Sequence, residues 1–279
     1  VPVVGTIHHP ITMDKRIDIK HAETLSLKLL KWRWYSFLKM QIKVARKLDP
    51  IIVVSENTRK DVVKDFKIDP KKTRKVLHGI DHKTFEPIPS IKRKKNQLIT
   101  TASADVPLKG LIYLIRAYSE LLNEFPDLSL VVIGKLRDGP TSNELDKKDI
   151  KNKVKFISDL TSREIAELYA ESTIAISPSV YEGFGFPAGE AMSCGIPLIS
   201  TNGGSLPEVV GDSGIIVPHS NPNELRKAIK ELLLSPEKRK ELGEKGRKRV
   251  LEKFTWKRAA KELVEVYREA ISNADNRSR

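Results

Sequence analysis

Cysteine is nearly absent from this sequence: Cys194 is the one thiol among 279 residues. That excludes an internal disulfide and a thiolate metal site, and it fits a reducing compartment. Long apolar runs are missing too. The longest are short stretches such as 51–54 and 128–134, far below the roughly 18 residues of a membrane-spanning helix. Composition argues against disorder and fibrous architectures, since 39% of residues are hydrophobic and 31% charged. Acidic residues are scarce in one region only. Residues 1–97 hold 23 Lys and Arg against 10 Asp and Glu, whereas the remainder holds 27 against 26. An excess confined to one third of the chain points to an anionic partner: phospholipid, nucleic acid or a phosphorylated acceptor. A charge-rich thermophilic surface is the competing reading, but it would carry both signs.

At about 150 residues per domain, the length predicts two domains. After residue 97 the pattern alternates buried strands with amphipathic helices. Strands are expected at 97–103, 128–134, 154–158, 173–179, 196–201 and 214–218. Helices are expected at 109–125, 162–172, 187–194, 222–234, 236–254 and 255–271. Continuous apolar strands between such helices predict a parallel sheet covered on both faces, a doubly wound α/β domain. The first third reads as half of a second such domain, with strands at 3–7, 51–55 and 74–79 and helices at about 22–48 and 59–66. The prolines and basic run of 86–96 read as a linker. The expected domains are therefore 1–90 and 91–279, with a closing helix at 255–272 returning towards the first.

The stretch YEGFGFPAGEAMSCGIPLIS, 181–200, carries the most chemistry. A strand ends at Ser-Pro, the chain turns through Gly183 and Gly185, and Pro187 stands where a helix begins. A glycine-rich turn entering a helix N-terminus offers backbone N–H groups and a positive dipole end, which favour phosphate. Its place at the carboxyl end of a parallel strand is where open α/β sheets bind ligands. Glu182 lies in the turn and Glu190 follows in the helix. As a glycosidase pair they would be acid and nucleophile or base. As a sugar-nucleotide site they would accept hydroxyl groups on either side of a bound phosphate. The phosphate-binding turn favours the second reading, because a glycosidase has no anion to hold.

These residues resemble the signature of retaining GT-B glycosyltransferases of the family 4 type, in which two Glu eight residues apart flank a Gly-Phe-Gly-hydrophobic-Pro turn. The resemblance extends to 201–225, to the closing helix at 254–267, to PLKGLIYLIRAY at 107–118, to 54–62 and 78–87, and to GTIHHP at 5–10. It implies a GT-B architecture with one complete Rossmann-like domain and part of a second. It further implies that Glu190 binds the nucleotide ribose and Glu182 the donor sugar, while the backbone of Gly183, Phe184, Gly185 and Phe186 approaches sugar and diphosphate. Lys109 would neutralise the diphosphate as its bond to the sugar breaks, and His8 would stand near the donor sugar. No metal site and no cofactor are expected, the donor being a nucleoside diphosphate sugar. The implied reaction moves a hexose, with retention, to a glycan or lipid-linked acceptor in cell-envelope assembly. A non-enzymatic sugar-nucleotide binder is the alternative.

The sequence departs from the family pattern at four positions. Ser103 stands six residues before Lys109 where Arg is usual, leaving Lys109 to carry more of the charge. His78 replaces Asn, His9 stands where Asp is usual, and Ser158 replaces Gly in the loop expected near the base. The chain begins near the middle of the expected acceptor domain, so a preceding segment or separate chain is expected. The segment 28–48 sets Trp32, Trp34, Tyr35 and Phe37 among seven basic residues. It reads either as a packed helix, with 30, 34, 37, 38, 44, 45 and 48 facing the core, or as a helix docking on an anionic membrane. The expected location is the cytoplasm, and the second reading adds a peripheral place at the inner membrane face. Nucleic acid is not an expected partner, for no stacking-aromatic or helix-turn-helix motif accompanies the basic segment.

Overall fold

The computed structural model describes residues 2–102 and 106–277, and the chain divides into two units. Unit 1 comprises 1–79, 182–184 and 256–279, and unit 2 comprises 80–181 and 185–255.

In unit 1, β1 (Gly5–Ile7) is followed by α1 (Ile11–Lys20), α2 (Leu25–Trp34), a 3-10 turn at Tyr35–Phe37 and α3 (Leu38–Ala45). Then come β2 (Ile51–Val53), α4 (Glu56–Phe66) and β3 (Thr73–Lys75), and the strands pair in parallel in the order β1-β2-β3. Alternation along β2 sorts its side chains between two faces. Ile51 and Val53 pack with Ala45, Val62 and Phe66 on one face, and Ile52 packs with Val76 and Val266 on the other. Ser55 caps α4 by accepting from the Thr58 N–H.

Unit 2 runs β4 (Gln97–Thr101), α5 (Leu111–Leu121), β5 (Ser129–Ile133), α6 (Pro140–Lys147), β6 (Val154–Ile157), α7 (Ser162–Glu171) and β7 (Ile174–Ser177). It continues with α8 (Phe186–Ser193), β8 (Leu198–Thr201), α9 (Leu206–Val210), β9 (Ile215–Val217), α10 (Pro222–Leu234) and α11 (Pro236–Lys253). Its six strands are ordered β6-β5-β4-β7-β8-β9, all parallel. The order reverses direction between β4 and β7, and the carboxyl ends there form the crevice where such sheets take ligands. The core joins Leu98, Leu130, Ile174 and Ile199 of the strands to Leu114 and Tyr118 of α5 and Ile229 of α10. The last helix, α12 (Trp256–Arg277), belongs to unit 1. Arg258 donates to the Leu77 carbonyl at 2.8 Å, and Arg74 Nε to Glu269 at 2.8 Å.

Several sequence expectations are corrected here. The single helix at 22–48 is two helices broken at Tyr35–Phe37. Its supposed core stripe is largely exposed: Leu30 is 63% and Trp34 73% accessible, Phe37 and Val44 are also exposed, and Leu38 and Ala45 alone of that stripe are fully buried. Helices α1, α6 and α9 were not anticipated. The strand expected at 74–79 is three residues, Thr73–Lys75. The units divide at Gly79 and Ile80, where the expectation had placed a linker boundary at 90. Within unit 2 the Ile80 N–H bonds to the Phe254 carbonyl at 2.7 Å and Arg247 holds the His82 and Phe85 carbonyls, so the segment after Ile80 is tied down by its own polar groups.

Candidate functional site

In unit 2 the loops after β4, β7 and β8 are bound to one another by backbone groups. Pro107–Lys109 form a 3-10 turn that ends at Gly110, whose φ of 63° lies in the left-handed region. A Cβ at Gly110 would collide with the Pro178 carbonyl, so glycine is required there on two counts. The Leu108 carbonyl accepts the Val180 N–H at 2.8 Å. Half-buried Lys109 is thereby placed beside the loop that follows β7. The Thr201 hydroxyl at the end of β8 donates to the Ser179 carbonyl. Gly203 lies against the same loop, where any Cβ would strike the carbonyls of Ser179 and Val180.

Tyr169 completes this framework. Its ring is fully buried, and its hydroxyl lies 3.1 Å from Thr101 Oγ1 and donates to the Pro187 carbonyl at 3.3 Å. It therefore spans from the end of β4 to the first turn of α8. Burial pushes the Tyr169 hydroxyl well above the usual tyrosine range, so it remains a neutral donor. Sequence reasoning missed Tyr169, Thr201 and Gly203 as positioning residues. The one signal was an aromatic within the apolar stripe of 162–172, which reads equally well as core.

Gly185 caps α8 with φ 96° and Pro187 occupies its first turn. The Ala188 and Gly189 N–H groups both turn back to the Gly185 carbonyl, at 3.1 and 3.2 Å. Proline has no N–H to offer, so an anion at this helix end meets the amides that precede Pro187. Phe186 is exposed and Glu190 half-buried. Burial pushes the Glu190 carboxyl up to about 7. A carboxylate held this reluctantly gains most from hydroxyl donors that stabilise its charged form.

Unit 1 carries the other candidate residues. His8 follows β1, its ring stacked on His78 with centroids 5.0 Å apart and Nδ1 3.0 Å from His78 Nε2. Phe184 meets His78 edge-on at 5.2 Å. Burial, then the neighbouring His8, pushes the His78 imidazole down to about 4, so His78 is neutral near pH 7. A cavity of about 240 Å³ opens beside these two rings, with Trp256 and Tyr267 in its wall. His9 is hydrogen-bonded to Asp14. The Gly183 carbonyl accepts from Ser55 Oγ at 2.9 Å and Thr58 Oγ1 at 3.1 Å, while its α-carbon faces the His8 carbonyl so closely that no Cβ fits. Glu182 beside it is half-buried.

The candidates are thus gathered in two sets: His8, Glu182, Gly183 and Phe184 in unit 1, and Lys109, Gly185, Phe186 and Glu190 in unit 2. Ser158 is not drawn into either set. It follows β6, two strands from β4, is half-buried, and donates to Asp159 at 2.9 Å, which pairs with Lys135 at 3.0 Å. Ser103 lies outside the described residues. Among the described residues no three His, Cys, Asp or Glu side chains gather as a metal site.

Two parallel α/β units, the second with a ligand crevice at its strand reversal, define the GT-B class of architecture. The chain belongs to the family described as glycosyl transferases group 1, matched over residues 83–249, and residues 1–84 match glycosyltransferase family 4. It is 38% identical over 275 residues to the MMP alpha-(1->4)-mannosyltransferase of Mycolicibacterium hassiacum, covering 97% of this chain and 66% of that protein. It is 29% identical over 243 residues to a D-inositol 3-phosphate glycosyltransferase of Streptomyces bingchenggensis, covering 80% of this chain and 53% of the relative. The chain therefore spans about half to two thirds of these curated relatives. Sucrose-phosphate synthase from Thermosynechococcus elongatus superposes with a TM-score of 0.78 at 22% identity, covering 97% of this chain and 68% of that one. Anabaena HepE in complex with UDP and glucose gives 0.77 at 17% identity, covering 95% and 71%.

Proposed function

We propose that this protein is a retaining hexosyltransferase that takes its sugar from a nucleoside diphosphate donor and passes it to a glycan or lipid-linked acceptor. The observation that carries this reading is the crevice of unit 2, where the Gly185 turn, the α8 N-terminus, Lys109 and Glu190 stand at the strand reversal. In this reading Glu190 accepts the ribose hydroxyls, Glu182 the sugar hydroxyls, and the amides from Gly183 to Phe186 receive sugar and diphosphate. The HepE structure named with UDP and glucose and the relatives named as glycosyltransferases support the donor class.

Departure of the nucleoside diphosphate builds negative charge on its leaving oxygen. Lys109 and the helix end meet that charge, so the step needs no metal ion; removing one such preorganised group costs about 2.7–4 kcal/mol of transition-state stabilisation. The acceptor oxygen bonds to the anomeric carbon on the face that the diphosphate leaves, and a leaving phosphate oxygen takes the acceptor proton. His8 lines the acceptor side, its ring orientation set by neutral His78.

The setting we propose is cell-envelope assembly at the cytoplasmic membrane face. Helix α2 supports it, with Trp32 and Trp34 exposed among Lys28, Lys31 and Arg33. No described helix is long and apolar enough to cross a membrane.

Calorimetry with a panel of UDP-, GDP- and ADP-sugars tests the donor reading. One donor should bind saturably, and Glu190→Ala should weaken it about ten- to hundred-fold, the weight of one or two hydrogen bonds to a charged group. Lys109→Ala should leave sugar-free nucleoside binding intact while depressing transfer. Failure of all three donor classes to bind would remove the proposal.

A further inference from the structure

Unit 2 has a second concavity that the donor reading does not use. A cavity of about 870 Å³ lies between the segment at Pro87 and Arg93 and the length of α11, with Gly195 in its wall. Gly195 precedes β8, so the cavity sits at the amino end of that strand, at the opposite edge of the sheet from the donor crevice. Its volume is within the range of small-molecule sites, roughly 300–1,000 Å³.

Positive charge dominates it. Arg93, Arg239, Lys240, Arg247 and Lys248 face Glu244 and Glu252. Two of the guanidinium groups are fixed by backbone carbonyls and not by carboxylates. Arg239 donates to the Leu233 carbonyl at 2.8 Å, which places a cation at the C-terminus of α10. Arg247 donates to the carbonyls of His82, Phe85 and Ser193 at 3.0, 2.9 and 2.9 Å. Carbonyl bonding locks both groups in place and leaves their net charge standing. Arg93 keeps an exposed surface, yet partial desolvation by the surrounding protein and then Arg239 depress its pKa from the usual arginine value. Among the described residues no carboxylate pairs with Arg93 or Lys240. Like charges held together in a concavity are a standing cost that a bound anion removes.

The rest of the lining narrows the ligand. Pro87, Pro236 and Leu251 give it apolar wall, and the space far exceeds one phosphate ion. The two carboxylates suit hydroxyl groups, which donate to them, and repel further negative charge. We propose that this cavity binds a phosphorylated polyol of small-metabolite size, its phosphate on Arg93, Arg239 and Lys240 and its hydroxyls towards Glu244 and Glu252. The cavity also abuts the donor helix from its far end: Arg247 is bonded to Ser193, the last residue of α8, three positions beyond Glu190.

Calorimetry of this chain with fructose 6-phosphate and with glucose 6-phosphate provides the test. At least one should bind saturably, and inorganic phosphate should bind more weakly by about tenfold, having no hydroxyls to offer. The double variant Arg93→Glu/Lys240→Glu changes two exposed side chains and should keep its melting temperature while losing about ten- to hundred-fold in affinity, the weight of one or two charge-assisted hydrogen bonds. Glu190→Gln, in the donor crevice, should bind the sugar phosphate as the unmodified chain does. The proposal is overturned if neither ester binds at millimolar concentration, if inorganic phosphate binds equally well, or if binding survives the double variant. Loss of binding in Glu190→Gln would place the ligand in the donor crevice and overturn it as well.

Discussion

Helices α2 and α5 are nearly equal in length and both rich in large apolar residues, yet their fates are opposite. In LIYLIRAYSEL, Leu111, Leu114, Ile115, Ala117, Tyr118 and Leu121 are buried; in LSLKLLKWRW no residue is. The α5 stripe repeats at three and four residues and meets both the sheet of unit 2 and the neighbouring helix α10. In α2 the leucines and tryptophans run around the helix, with cations between them, and Leu25, Leu29, Leu30, Trp32 and Trp34 are all exposed. Apolar content states what a helix can bury, and periodicity states whether one partner face can bury it.

The largest effect that separates the two helices is on stability. Leu114→Ala removes a fully buried side chain from the core of unit 2 and should cost about 2–5 kcal/mol, read as a lower urea midpoint. A loss under about 1 kcal/mol would mean that α5 is no better packed than α2.

The same contrast explains what was legible in the sequence. The strands of unit 2 are short continuous apolar runs between amphipathic helices, so their existence and parallel sense could be read, with ends trimmed by a residue or two: 97–103 became Gln97–Thr101, and 196–201 became Leu198–Thr201. The α8 turn was legible because Gly185 and Pro187 each constrain the backbone in a known way. Helix α1 was not, since ITMDKRIDIK has scattered β-branched residues and no side-chain cap. Tyr169, Thr201 and Gly203 escaped notice because each acts through a carbonyl distant in sequence, and local patterns hold no record of such partners. The backbone of Gly183 was read as approaching a ligand, whereas the His8 carbonyl, which any Cβ there would strike, also demands glycine.

A second way to set the units against each other is their titration. His78 in unit 1 has a folded pKa of about 4, below its unfolded value of about 6.5. The stability it contributes is present above about pH 6.5 and lost as pH falls towards 4. Glu190 in unit 2 is shifted the other way, to about 7 from an unfolded value near 4.3. Its contribution is present below about pH 4.3 and lost as pH rises towards 7. His78→Gln should therefore reduce the acid sensitivity of unfolding, and Glu190→Gln should stabilise the protein at about pH 8, each by about 1–3 kcal/mol. Urea titrations at about pH 5 and pH 8 read both. A His78→Gln gain larger at about pH 8 than at about pH 5, or a Glu190→Gln gain larger at about pH 5 than at about pH 8, would contradict the opposed environments of the two groups. A carboxyl that costs stability when charged is worth keeping where its charge is used, which agrees with Glu190 as a receiver of hydroxyl groups.

The smallest expected effect on folding tests the other half of the comparison. Leu30→Ala and Trp34→Ala should each change stability by less than about 0.5 kcal/mol, because both side chains are mostly exposed. The same substitutions should matter at a surface. In co-sedimentation with phosphatidylglycerol vesicles, joint replacement of Trp32 and Trp34 by alanine should weaken binding about tenfold or more, as burial of two aromatic side chains in the interface is lost. Phosphatidylcholine vesicles should bind poorly with or without the change, because Lys28, Lys31 and Arg33 then find no anionic charge. Were Leu30→Ala to cost as much as Leu114→Ala, α2 would be covered by protein in solution, and the membrane setting would lose the exposed face on which it rests.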